Sequence, residues 1–304
     1  MDRKSNLSVI ICSYNREKYI LDAIKSIANQ TFSSERYEVI IIDNNSTDST
    51  PAIVPEYIAR NHLSNFHYFT ETNQGLTFAR NKGIKESNNE FVSFIDDDAI
   101  VKSNYVETIL ASFDQNPTIN ALGGKVIPVF PESPEPKWMS KYIEGILSKV
   151  DLGDEKQLFK KKYPVGCNMA FRKIIFEKYG LFNTDLVLRS DEKDLFLKIK
   201  ANDEDIMYIP QLEVKHVMSA ERISKKGVQR VSIITGEGER FRVKHSIIET
   251  FRKLVEYKFK LFASFILAIP LLFDNIQKAQ FLIMVRWHIL KGYLFPKSTL
   301  NDKT

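Results

Sequence analysis

The chain has 304 residues, 43% hydrophobic and 27% charged, which is enough to bury a large core and too apolar for a disordered chain. Its formal charge of +5 is unevenly placed, with 11 Lys/Arg against 4 Asp/Glu in residues 241–304 and 32 against 34 in residues 1–240. A slightly acidic body with a basic, apolar tail argues against a nucleic-acid binder, whose basic stripe would lie on the folded body, and makes an anionic membrane surface the better partner.

The N-terminus runs directly into a short apolar segment without a signal-peptide pattern, and the two cysteines, Cys12 and Cys167, have no partner spacing, so neither a disulfide framework nor a zinc site is suggested. Both features fit a cytoplasmic, reducing location. Leu7 to Cys12 is a continuous apolar run of buried-strand type, ended by Ser13-Tyr14-Asn15-Arg16. Helical spacing follows at Tyr19, Ile20, Ala23, Ile24 and Ile27. A second strand, Tyr37 to Ile42, ends in Asp43-Asn44-Asn45-Ser46-Thr47-Asp48 and leads to a helix over about 49–61. A third strand, Phe66 to Phe69, passes through Asn73-Gln74-Gly75 to a helix over about 77–86. The fourth strand, Phe91 to Ile95, runs straight into Asp96-Asp97-Asp98.

Four strand-helix units in succession predict an α/β, Rossmann-like fold, with a mostly parallel central sheet and helices on both faces. Ligands bind such sheets beyond the carboxyl ends of the strands, where the clusters at 13–16, 43–48 and 96–98 all fall, so these should share one crevice. In extended backbone Asp96 and Asp98 project to one side and Asp97 to the other. Two converging carboxylates make half a site for a hard cation, Mn²⁺ or Mg²⁺. The first strand-helix turn has no glycine, which excludes a dinucleotide fingerprint, so charged groups must hold a nucleotide instead.

Val9 to Arg16, Ile42 to Asp48, Asn73 to Asn81 and Phe94 to Asp98 are four ordered stretches that resemble the successive motifs of the family 2 glycosyltransferases with the GT-A fold. The resemblance implies an inverting transfer of one sugar from a nucleotide-diphosphate sugar to a hydroxyl of a glycan or lipid-linked acceptor. It implies nucleotide-sugar contacts by Ser13, Tyr14, Asn15, Arg16, Asp43, Arg80, Asp96 and Asp97, with Asp43 on the base. UDP is the nucleotide favoured by that aspartate. It further implies that Asp98, with Asp96, holds the metal and that His216, at the end of a strand, is a further metal ligand or contacts the leaving diphosphate.

Further along, 103–115 reads as a helix, Ala121 to Val126 as a strand, and Pro128, Pro131, Pro134 and Pro136 as a loop suited to an acceptor wall. Tyr163 to Arg172 resembles the family's Gly-x-Asn stretch near the acceptor, and a helix over 173–179 follows. In Arg189 to Phe196 the family's Glu-Asp pair occurs in reversed order, so either Glu192 or Asp191 is the implied general base. Ile206 to Pro210 and Leu212 to His216 read as two short strands, and Arg222 and Arg230 as possible phosphate contacts. The Gln-x-x-Arg-Trp signature of processive synthases is absent, which favours single-sugar transfer.

The expected organisation is a catalytic domain over 1–240, with a nucleotide-binding half (1–125) and an acceptor-binding half (126–240), and a helical extension over 241–304. Leu261 to Phe273 is an uncharged run of thirteen residues, about 20 Å as a helix, too short for a hydrocarbon core about 30 Å thick. With Lys253, Lys258 and Lys260 ahead of it, it has the pattern of an anchor lying on the cytoplasmic face of an anionic membrane. Two rival readings stay open. A sugar-1-phosphate nucleotidylyltransferase would need a glycine-rich basic loop after the first strand, and a catalytically silent nucleotide-sugar-binding module is kept in view by the reversed Asp191-Glu192 pair.

Overall fold

A computed structural model describes residues 6–186 and 189–297. The described residues form two compact units, one of residues 6–127, 150–186 and 192–217 and the other of 128–149, 189–191 and 218–297.

In the first unit, strand β1 (Leu7–Ser13) is followed by helix α1 (Ile20–Ala28), β2 (Tyr37–Asp43), α2 (Thr50–Arg60), β3 (Phe66–Thr70), α3 (Leu76–Glu86) and β4 (Phe91–Asp96). The short β5 (Ala99–Val101) precedes α4 (Tyr105–Gln115), β6 (Ala121–Val129), β7 (Gln157–Leu158), β8 (Met169–Arg172), α5 (Ile174–Tyr179), α6 (Asp191–Ala201) and β9 (Ile206–Val217), the last two residues of β6 and the first of α6 belonging to the second unit. The strands lie in the order β3-β2-β1-β4-β8-β6-β9-β5, with β7 on β9. The half predicted from the repeated units is all parallel, β1 pairing with both β2 and β4, and β2 with β3. In register, Ser13 lies beside Asp43 and Cys12 beside Asp96, so the polar ends of three strands stop at one level. Beyond β4 the pairing turns antiparallel through β8.

The continuous apolar runs are explained by burial on both faces: six of the seven residues of β1 are buried, as are six of seven in β2. Helix α1 buries Ile20, Ala23, Ile24 and Ile27, the spacing expected of one helical face. Phe94 meets Phe171, Phe176 and Phe182 edge-on at 5.5–6.4 Å between ring centres, locking the β4–β8 half of the core. The structure corrects one expectation: Ile206–Val217 is a single strand. Gln211 is exposed but the backbone does not turn there, because one end is held by β7 and the other by β5.

The second unit is helical: α7 (Ala220–Ile223), α8 (Lys225–Arg242), α9 (Ile247–Asp274) and α10 (Ile276–Leu294) follow one another. Ser224, Ser246 and Asn275 cap α8, α9 and α10, each accepting from a backbone N–H of the first turn. Its core gathers Val228, Tyr257, Leu282, Val285, Ile289 and Tyr293, and Trp138 stacks on Phe281 at 4.8 Å.

Helices α8 and α10 touch backbone to backbone. A Cβ on Gly236 would lie 2.0 Å from the Ile289 carbonyl oxygen, and one on Gly292 would lie 2.1 Å from that of Ile233. A methyl group at either position must push a whole helix away. Gly292→Ala is therefore expected to destabilise the unit by about 1–3 kcal/mol or more, against the roughly 1 kcal/mol that alanine normally gains over glycine in a helix. Urea unfolding followed by circular dichroism would check this, and an unchanged midpoint would mean that the helices separate freely.

Candidate active site

The site is built where β1, β2 and β4 end. The loops after β1 and β2 are laced to each other: Asn15 Oδ1 accepts from the backbone N–H of Thr47 at 2.8 Å, and Asn15 N donates to Ser46 Oγ at 2.9 Å. Glu17 N donates to Asp48 Oδ2 at 3.0 Å while Ser49 N donates to Glu17 Oε2 at 2.9 Å. Asn15 adopts the left-handed backbone conformation, φ 53°, which asparagine tolerates better than most residues. Its side chain is therefore occupied by the neighbouring loop. Tyr14 stands at the tip of the same loop, 39% exposed.

Asp43 is buried and accepts from the backbone N–H of Ser46 with both carboxylate oxygens at 3.3 Å. Burial, with the Asp43 charge alongside, pushes the Tyr68 hydroxyl above its ordinary pKa. Asn44, which the sequence did not single out for a role, organises the next loop. Its amide donates to the carbonyls of Glu71 and Asn73 at 3.1 and 2.7 Å and accepts from Gly75 N at 2.7 Å, setting the start of α3. The signal available for it was its place in the motif.

Helix α3 delivers Arg80, which is almost fully buried beside the Phe94 and Phe182 rings, with the guanidinium 5.9 and 5.4 Å from their centres. One arm, Nη2, reaches to 3.9 Å from Asp96 Oδ1, and the other, Nη1, to 3.8 Å from Glu192 Oε2. Gly166 borders this slot, since a Cβ there would come within 2.2 Å of Nη2. Glu192, in the first turn of α6, is thus brought together with the acidic end of β4. Asp191 begins α6 and is 1% exposed.

Strand β4 ends at Asp96, and Asp97 and Asp98 form the turn before β5, so the turn and not strand alternation sets their directions. Asp97 faces Arg16, with Nε 3.4 Å from its Oδ1. Burial pushes the Asp97 carboxyl up to about 8, with Arg16 pulling the other way, the neighbouring Asp98 and Asp96 charges adding to the rise and the Ser13 hydroxyl opposing it. Burial works against the Arg16 charge too, but Asp97, Asp98 and Asp96 outweigh it and hold its pKa above the ordinary value. Asp98 and Asp96 converge instead on His216 of β9, whose Nε2 is 2.9 Å from Asp98 Oδ1 and 3.9 Å from Asp96 Oδ2. Two carboxylates meeting one imidazole nitrogen is a donor set that fits a hard or borderline divalent cation.

On the far side of the ring, His216 Nδ1 is 3.9 Å from Cys167 Sγ, and ligating atoms of Asp96, Cys167 and His216 all lie within 4.8 Å of one another. This thiol was missed because its neighbour is 49 residues away, which no local spacing reveals. Arg222 and Arg230 lie on α7 and α8 of the helical unit.

The chain has relatives among known proteins. The family model described as glycosyl transferase family 2 matches residues 8–180. The minor teichoic acid biosynthesis protein GgaB of Bacillus subtilis is 35% identical over 133 residues, 43% of this chain and only 14% of that protein. The poly(ribitol-phosphate) beta-N-acetylglucosaminyltransferase TarS of Staphylococcus aureus is 37% identical over 110 residues, 36% of this chain and 19% of that protein. The chain thus spans a small part of the length of both relatives. The structure of TarS residues 1–349 with UDP has a TM-score of 0.55 at 20% identity, covering 95% of this chain and 89% of that one. The mannosyltransferase PcManGT of Pyrobaculum calidifontis, solved with GDP-Man and Mn²⁺, gives 0.66 at 18% identity over 100% of this chain and 89% of that one. With the sheet order, the acidic end of β4 and a family match over more than half of its length, the chain belongs to glycosyl transferase family 2 and has the GT-A fold.

Proposed function

We propose that the protein transfers a single sugar from a nucleotide-diphosphate sugar, a UDP-sugar by preference, to an acceptor hydroxyl with inversion at the anomeric carbon. The observation that carries this reading is Arg80, whose two arms approach Asp96 and Glu192, so that a candidate base faces the acidic end of β4 across one guanidinium. Asp43, at the end of β2, is the candidate contact for the base of the nucleotide, and TarS bound to UDP supports uridine. PcManGT bound to GDP-Man keeps guanosine in the comparison.

In this mechanism the Glu192 carboxylate takes the proton of the acceptor hydroxyl as its oxygen attacks the anomeric carbon. The bond from that carbon to the diphosphate oxygen breaks, and its electron pair departs with the nucleoside diphosphate. Arg80, held in place by stacking on two rings, offers a planar cation beside the departing phosphates. Asp98, Asp96 and His216 would hold a divalent cation, which supplies charge stabilisation for a diphosphate. Asp191, the first residue of α6, is the alternative base to be separated from Glu192. The acceptor is of glycan or lipid-linked type, and the poly(ribitol-phosphate) acceptor in the name of TarS supports a cell-envelope polymer among these.

The test is a panel of UDP- and GDP-sugars with Mn²⁺ or Mg²⁺, reading release of free nucleoside diphosphate. A hydrolytic background specific to one UDP-sugar is the expected result. Absence of release from every donor, with nucleotide still binding, would favour a silent binding module.

A further inference from the structure

Helix α9 carries large apolar residues on two faces. One packs on its own unit, with Tyr257, Ser264 and Ala268 buried and Leu254, Leu261, Leu267 and Leu271 half-buried against the core, while on the other Phe251, Val255, Phe262, Ile266, Ile269 and Phe273 are 49–88% exposed. These recur at intervals of three, four and seven, so they lie on one stripe along a helix about 42 Å long. Scattered exposed apolar residues are ordinary, but a continuous stripe of large ones marks a surface that something covers. No helix among the described residues is long and apolar enough to cross a membrane.

The charges on the same helix point to the cover. Lys258 is exposed and stands seven residues from Phe251, within the apolar stripe, and Arg252, next to Phe251 in sequence, is 73% exposed and pairs with Glu249. Against a second copy of the same face, Lys258 would have to enter an apolar seam or meet its own image. At a lipid surface its long stem can lie along the apolar stripe while the ammonium reaches the phosphates. Residues 241–304 carry 11 basic against 4 acidic side chains, an excess suited to an anionic surface. We propose that α9 lies in the plane of an anionic bilayer, with its Phe/Ile stripe in the acyl boundary and Lys258 among the headgroups. The proposal does not rest on the transfer reaction and would stand if that reading failed.

The full chain is incubated with vesicles of phosphatidylcholine, with and without 30% phosphatidylglycerol, and sedimented. Binding about tenfold or more tighter to the anionic vesicles, weakened by salt and lost in Phe262→Asp/Ile266→Asp, is expected. Lys258→Glu should reduce anionic binding while leaving the helix content by circular dichroism intact. Failure of the parent to sediment, or equal binding by the Asp double variant, would overturn the proposal. So would a stable dimer in sedimentation velocity that the same double variant dissociates, which would assign the stripe to a second copy.

Discussion

Glu192→Gln is expected to lower turnover by about 10²–10⁴, the contribution of a positioned general base, while UDP affinity stays within about twofold of the parent. The amide keeps the shape of the side chain and its place in the first turn of α6. Asp96 remains on the other arm of Arg80, so the guanidinium keeps its place. Asp191→Asn is the companion measurement, because the reversed order of the pair makes Asp191 the rival base. Transfer rates with donor and acceptor present, alongside calorimetry of UDP binding, separate the two residues. If Asp191→Asn abolishes transfer and Glu192→Gln does not, the roles are exchanged. If both variants keep the parental rate, another group activates the hydroxyl.

Asp98→Asn should remove the cation-dependent part of nucleotide binding. Asp98 is buried, 2.9 Å from His216 Nε2, with Arg16 at 3.9 Å on its other oxygen, so it belongs to both the candidate cation set and the salt bridges behind it. Even outer-shell partners of a bound metal are worth about 10–100-fold in its affinity, and loss of a direct ligand should cost at least that. UDP titrations with Mn²⁺ and with chelator give the readout. The parent should bind UDP weakly in chelator, since unneutralised Asp96 and Asp98 repel phosphates, and Asp98→Asn should bind equally weakly in both conditions. Equal parental affinity with and without Mn²⁺ would end the metal reading.

The parallel half of the sheet was legible because β1, β2 and β4 are apolar runs buried on both faces, each ending in polar residues, while the edge strand β3 is largely half-buried or exposed. Alternation along a strand led to the expectation that Asp97 points away from Asp96 and Asp98, but the strand stops at Asp96, and Arg16 approaches both Asp97, at 3.4 Å, and Asp98, at 3.9 Å. What could not be read is what depends on packing between distant segments. Cys167 meets His216 only because β8 and β9 are drawn into one sheet, and Arg80 reaches Glu192 only because α6 folds back to the end of β4. The continuity of β9 was hidden because Pro210 and Gln211 look like a break, whereas strand partners at both ends carry the backbone through. In α9 the apolar run was plain, but which of its faces the protein covers is decided by α10, not by the run itself.

The reciprocal bonds among Asn15, Glu17, Ser46, Thr47, Asp48 and Ser49 tie two loops into one rim. A rim cross-linked in this way has little conformational freedom left to lose when a ligand arrives, so association should carry a small entropic penalty and proceed without a slow closing step. Selection among nucleotides is then a matter of shape presented in advance. A change in either loop would be felt by both and passed to Arg16 and, through it, to Asp97 and Asp98, so on the proposed function it would alter nucleotide recognition and the acidic cluster together.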